Sequence, residues 1–328
     1  TSHAEGGGTL ANGAYSHAEG RETRAFGENS HTEGFQTTTG NELDPLQGTS
    51  AHAEGANTIA SGMVSHAEGF STTASGTVSH AEGVNTIASG DVGSHAEGVN
   101  TTASGFASHA EGLSTTASGD SSHAEGEGSV ASGLRSHTEG QSTTASGEAS
   151  HAEGSGTSAN GFASHAEGSG TTASGGSSHA EGSFTIANGD SSHAEGSNNT
   201  TANGFASHAE GIATSTGINA NGAHAEGVST NALAQGSHAE GGGTQASADN
   251  SHAEGQQTIA SGSNSHAEGS FTTASGSNSH AEGDNTTASG DSSHAEGSNN
   301  TMANGLASHA EGIATSTGIN ANGAHAEG

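Results

Sequence analysis

The chain has 328 residues, of which 27 % are hydrophobic and 3 % aromatic, with 56 glycines, one proline, no tryptophan and no cysteine. An ordinary globular domain is about 45–50 % apolar, so a wide core of large side chains is excluded, as are disulfides and thiolate metal sites. The net charge of −32, with only three basic residues, excludes ordinary nucleic-acid binding and docking on anionic membranes, which need clustered cations.

No apolar run is long enough to span a membrane as a helix. Low hydrophobicity with high charge also matches disorder, but disordered chains need no phase, and this chain keeps one strictly. All 23 histidines, from His3 to His325, sit in the tetrad His-(Ala/Thr)-Glu-Gly. Successive histidines are mostly 14 residues apart; the spacing is 21 from His31 to His52, 15 at His80–His95, His193–His208 and His294–His309, and 16 at His208–His224 and His309–His325. This period is shorter than any helix-pair repeat, and Gly, Ser, Thr and Asn disfavour helix. It fits an all-β, parallel β-roll or β-solenoid in which each 14-residue repeat is one coil.

In chain order, the repeats start at Thr1 and first break through Gly40 to Ser50, which contains Pro45, a residue that cannot donate to a β-ladder. This predicts a loop insertion over 40–50. The coil that follows shows the common pattern: Ser65-His66-Ala67-Glu68-Gly69, two variable residues, then Thr72-Thr73-Ala74-Ser75-Gly76. Side chains alternate across a strand, so Ser65, Ala67 and Gly69 share one face, and His66 and Glu68 the other. Thr72, Ala74 and Gly76 likewise oppose Thr73 and Ser75. The uniformly small sets belong inside a narrow roll, and the glycines at its tight corners.

Further along, Ile212–Gly217 and Ile313–Gly318 are read as lengthened turns. Residues 193–227 recur at 294–328 with two changes, Thr201 to Met302 and Phe205 to Leu306, an offset of seven coils that indicates tandem duplication. The chain stops inside a repeat at Gly328, as it begins inside one, and is expected to be a piece of something longer. The expectation is one solenoid over 1–328, about 23 coils rising about 4.8 Å each, hence a rod of about 110 Å.

Ser65-His66-Ala67-Glu68-Gly69 followed by Thr72-Thr73-Ala74-Ser75-Gly76 resembles the YadA-like head repeats of trimeric autotransporter adhesins, whose pattern is similar to S-V-A-I-G-x-x-A-x-A-x-G-x-x. The resemblance implies a left-handed β-roll, three of which associate side by side as a homotrimer. In that family Val and Ile point from each roll toward its neighbours; here His66 and Glu68 stand in those two slots. The same variant is similar to repeats of prophage tail proteins.

Glutamates stacked about 4.8 Å apart repel by about 1 kcal/mol even at the dielectric of water, and like charges opposite one another destabilise a sheet. A histidine two residues away on the same face is the available partner. On the trimer that the resemblance implies, His and Glu would form an inter-chain ladder. Its members are His66 and Glu68, His80 and Glu82, His109 and Glu111, His123 and Glu125, His151 and Glu153, His165 and Glu167, His179 and Glu181, His266 and Glu268, His280 and Glu282. Such pairing predicts a raised histidine pKa and a depressed glutamate pKa, with greatest stability in mildly acidic to neutral solution.

His-x-Glu also places metal-capable groups on one face, allowing occasional metal binding, though ions on every rung would repel. No unique constellation marks an enzyme, and no cofactor is called for. The expected function is a structural and adhesive rod of a bacterial extracellular fibre or adhesin head, outside the cell or on its surface, with itself and host surface or matrix molecules as partners. A phage tail-fibre shaft or non-adhesive filament, on a virion tail or cell surface, is the alternative. Ice binding by Thr-Thr or Thr-Ile rungs is a third reading, opposed by the uneven filling of the outward position by Thr73, Ile87, Ser158 and Gln245.

Overall fold

The computed structural model describes residues 1–44 and 46–328, so Pro45 lies outside the described residues. It comprises two compact units, Thr1–Ala163 and Ser164–Gly328. Each is a parallel β-solenoid, with no helix among the described residues. The first carries eleven His-x-Glu-Gly coils and the second twelve.

Most coils contain one longer and one very short strand, as in His66–Phe70 and Thr73–Ala74; the two merge in His280–Ala288 and His294–Ala303. Each pairs in parallel with its counterpart one coil on: His66 with His80, Ala67 with Ala81, Glu68 with Glu82, and Thr73 with Ile87. Identity stacks on identity. A slip by one residue would turn the charged set inward, so the pattern itself fixes the register.

The core is built from small side chains. Ser65 is 1 % exposed and Ala67, Thr72 and Ala74 are fully buried, as the alternation predicts. The largest fully buried side chains are threonines. Alanine methyls supply far less burial energy than the 1.5–3 kcal/mol of a buried Leu or Phe, so ladder hydrogen bonds carry a large share of the specificity. Corner serines add to them: the Ser65 hydroxyl donates to the Gly62 carbonyl at 2.7 Å, and Ser79 to Gly76 at 2.7 Å.

Two local expectations need correction. Gly69 is exposed rather than inward with Ser65 and Ala67. Its φ of 108° ends the alternation, and a Cβ there would stand 2.1 Å from the Gly83 carbonyl oxygen of the next coil. The extra residues near Ile212 lie elsewhere as well. His208–Ile212 and Ser215–Thr216 keep the usual spacing, and the lengthening falls in the following corner, where Ile218 is 80 % exposed.

The corners turn through left-handed backbone at residues of every kind. Ser71 and Val78 both have φ 57°. The reason is the ladder: this conformation aims the Val78 N–H at the Met63 carbonyl of the preceding coil, at 2.8 Å, and the Ser71 N–H at Ala56, at 2.9 Å. In the 40–50 region Gly40 still donates to Ala60, and Gly48 rejoins the coil through Ser61. Between them Leu43 is 91 % exposed.

Candidate functional site

The outward face of the longer strand carries one histidine and one glutamate; in the coil of His123 the strand stops at Ala124 and Glu125 follows it. Because coils stack in register, these become two parallel columns. In the first unit the imidazoles from His17 to His151 stack with centroids 4.7–5.0 Å apart and planes within 11°. In the second, those from His165 to His309 stack at 4.6–4.9 Å.

All the residues expected in the ladder stand in these columns. His66, His80, His109, His123 and His151, with Glu68, Glu82, Glu111, Glu125 and Glu153, lie in the first unit. His165, His179, His266 and His280, with Glu167, Glu181, Glu268 and Glu282, lie in the second. Each face is half-buried: the side chains of His66 and Glu68 are 36 % and 34 % exposed.

Imidazole and carboxylate already meet within one chain, in two ways. His66 Nε2 lies 3.6 Å from Glu68 Oε2 on its own strand. His123 Nε2 instead reaches Glu111 Oε1 of the preceding coil at 3.2 Å, within hydrogen-bond range. Most pairs stay longer than a hydrogen bond. The Nε2 atoms of His66, His80, His95 and His109 are shielded from solvent and make no hydrogen bond.

The electrostatics reverse the expectation of raised histidine pKa values. His52, His80, His95 and His208 are all held below the usual imidazole value, first by burial and then by the like charges of neighbouring imidazoles, against the opposing pull of the glutamates. An interior histidine such as His66 is stacked between two others, His52 and His80. The glutamates split instead of shifting together. Glu282 is pushed up to about 7 by hydrogen bonds to Glu268 and Glu296, while the same contacts hold Glu268 and Glu296 down. Two carboxylates hydrogen-bond to each other only around a shared proton, so Glu282 is the member of this group that takes up a proton most readily.

Beside the carboxylates of the second unit runs a groove bounded by Glu268, Glu282 and Glu296, with Gly269, Gly283 and Gly297 along it. Imidazole and carboxylate ligand atoms recur along both columns within 4.8 Å of one another, as at His66, Glu68 and His80, and these columns hold the metal-capable groups.

One surface feature escaped the sequence reading, which took the residues after each tetrad as freely varying turns. Phe35, Ala56, Phe70, Val84, Val99 and Leu113 occupy that position in successive coils and are in register. Phe70 is 51 % exposed. The signal was the run of apolar residues at one fixed phase. Among the described residues no helix is long and apolar enough to cross a membrane.

The YadA head domain repeat (2 copies) matches residues 67–91, 96–119, 110–136, 166–192, 253–279 and 281–305. No curated protein matches the chain. Every matched stretch begins on the buried alanine that follows a column histidine, Ala67, Ala96, Ala110, Ala166, Ala253 or Ala281, so the family's repeat and the structural coil share one phase. These stretches, found in both units, are therefore similar to YadA-like head repeats, a match that points to the structural and adhesive type of the trimeric autotransporter adhesins.

Proposed function

We propose that the chain is a structural and adhesive module of a bacterial extracellular fibre or adhesin head, assembled as a homotrimer whose chains meet along the histidine and glutamate columns. The observation that carries this reading is the state of those columns in a single chain. Shielded Nε2 atoms without hydrogen bonds, as at His80 and His95, beside crowded carboxylates, are costly in isolation. The half-exposed remainder of each imidazole and carboxylate, as at His66 and Glu68, gains partners when a second face supplies donors and acceptors across a seam.

The groove at Gly269, Gly283 and Gly297 supports the same reading, because a strip without side chains lets a neighbouring chain approach closely. The role is non-enzymatic. It leaves the apolar run from Phe35 to Leu113 outside the seam, as the surface for repeated weak contact with a target, where many small gains add by avidity.

Sedimentation equilibrium tests the assembly. Three chains of 31.3 kDa give a particle of about 94 kDa with threefold symmetry. Exchange at the histidine Cε1 position tests the seam: column histidines should exchange far more slowly than a free His-Ala-Glu-Gly peptide. A particle of single-chain mass, or a trimer whose histidines exchange at the peptide's rate, would reject the assignment.

A further inference from the structure

We infer that the columns bind divalent transition-metal ions of the zinc class, each ion held by one imidazole and the two carboxylates that flank it, on non-adjacent coils. His309 shows the arrangement. Its Nε2 lies 3.3 Å from Glu296 Oε1 and 3.8 Å from Glu311 Oε2. Two ligand atoms about 2.1 Å from one ion, at the tetrahedral angle, are about 3.4 Å apart, so this spacing is a bite that needs little movement to close. His95 and Glu97, at 3.4 Å, offer it within a single strand.

The same arithmetic excludes an ion between successive imidazoles. Parallel rings 4.8 Å apart, as at His280 and His294, hold their Nε2 atoms at a similar separation. Two ligands of one ion at about 2.1 Å cannot exceed about 4.2 Å. The site is one histidine with two glutamates, repeated.

Three further observations point to a soft-to-borderline dication. The Nε2 atoms of His80, His95 and His294 are shielded and make no hydrogen bond, so no protein group competes with an ion for them. The ion-paired arginines, Arg21 and Arg135, hold Glu22 and Glu148 at corners rather than column carboxylates. The ligand set mixes nitrogen and oxygen in a cluster too small for the six to eight oxygens that calcium takes, and imidazole favours zinc, nickel or copper. Ions on neighbouring coils would stand about 4.8 Å apart and repel, which limits filling to about one ion for every two coils.

The test is a titration of the purified chain with ZnCl2 and with CoCl2, followed by calorimetry, histidine NMR signals and visible absorbance. Expected are several ions per chain, shifted histidine signals, the strong visible bands of four-coordinate Co²⁺, and CaCl2 binding at least tenfold weaker. The variant carrying His252→Gln, His266→Gln, His280→Gln, His294→Gln and His309→Gln should lose about two or three ions, as alternate filling of five coils requires. Should it not fold, the histidine signals of the unaltered chain decide. Zinc that binds no more tightly than calcium, or that leaves those signals unmoved, overturns the inference. One chain supplies all three ligands, so the result is independent of sedimentation: a monomer that takes zinc rejects the trimer alone, and a trimer that takes none rejects the metal sites alone.

Discussion

Replacing Gly98 by alanine, with Gly93 as its control, isolates how closely the coils approach. Both glycines have positive φ, 106° and 70°. A Cβ at Gly93 meets nothing within 4 Å, whereas at Gly98 it would stand 2.2 Å from the Gly112 carbonyl oxygen and 3.0 Å from the Gly112 nitrogen. Gly93→Ala therefore carries backbone strain alone, about 1–2 kcal/mol. Gly98→Ala carries strain of about 1–3 kcal/mol and forces the next coil to retreat by about 1 Å to reach ordinary contact. That movement stretches ladder hydrogen bonds on both sides, each contributing about 1 kcal/mol net. The total is about 3–5 kcal/mol. In a unit of this size 1 kcal/mol moves the melting temperature by about 2–4 °C, so Gly98→Ala should melt about 10 °C below the parent and Gly93→Ala about 4 °C. Thermal melts by circular dichroism measure both, and hydrogen exchange should place the loosened amides in the coils of His95 and His109. Equal melting temperatures for the two variants would show that the predicted collision with Gly112 does not exist.

The corner serines give a second paired test. Ser136 donates to the Gly133 carbonyl at 2.7 Å, so Ser136→Ala should lose about 1 kcal/mol in urea titrations. The buried Ser192 hydroxyl has no hydrogen-bond partner, and Ser192→Ala should be neutral or slightly stabilising. The pH response of the unassociated chain follows from the columns. Histidines such as His80, His95, His193 and His252 are held below their ordinary value, so the unfolded chain takes up their protons more readily. Their contribution is present above about pH 6.5 and is lost as the pH falls through that value. Glu111, Glu268 and Glu296, also held down, act in the same direction in more acidic solution, while Glu282, raised to about 7, opposes them by losing its contribution as the pH rises through 7. Calorimetry should find a lower melting temperature at pH 5 than at pH 7.5; a higher one would contradict this balance.

Much of the fold was legible because one period governs it. The strict phase of the tetrad gave the coil, and the contrast between small and charged residues gave its inside, correctly at Ser65, Ala67, Thr72 and Ala74. What escaped depends on the neighbouring coil, which a single repeat does not display. Gly69 continues the alternation on paper, yet the approach of Gly83 turns it outward. Propensity would not place Val78 in left-handed backbone, but the hydrogen bond to Met63 holds it there. The lowered histidine values have a related origin. Pairing with glutamate was visible in the spacing of His66 and Glu68, but repetition multiplies like contacts as faithfully as unlike ones, and each imidazole lies between two others. The sequence does not distinguish the corner that holds the extra residues at Ile218, because both corners follow similar glycine and threonine signals.

The left-handed corners have an evolutionary consequence. Tyr15, Arg135, Phe184 and Asn264 all adopt the same turn, with φ between 54° and 58°, so what a corner displays is decoupled from how it is made. Interior letters are held to a four-residue alphabet, while the exterior can be rewritten one position at a time without retuning the scaffold. The recurring block illustrates this: its two differences, Thr201 to Met302 and Phe205 to Leu306, both fall on outward positions. A lineage of such chains can change what its corners display, and gain new surface by adding whole coils, while inheriting an unchanged framework.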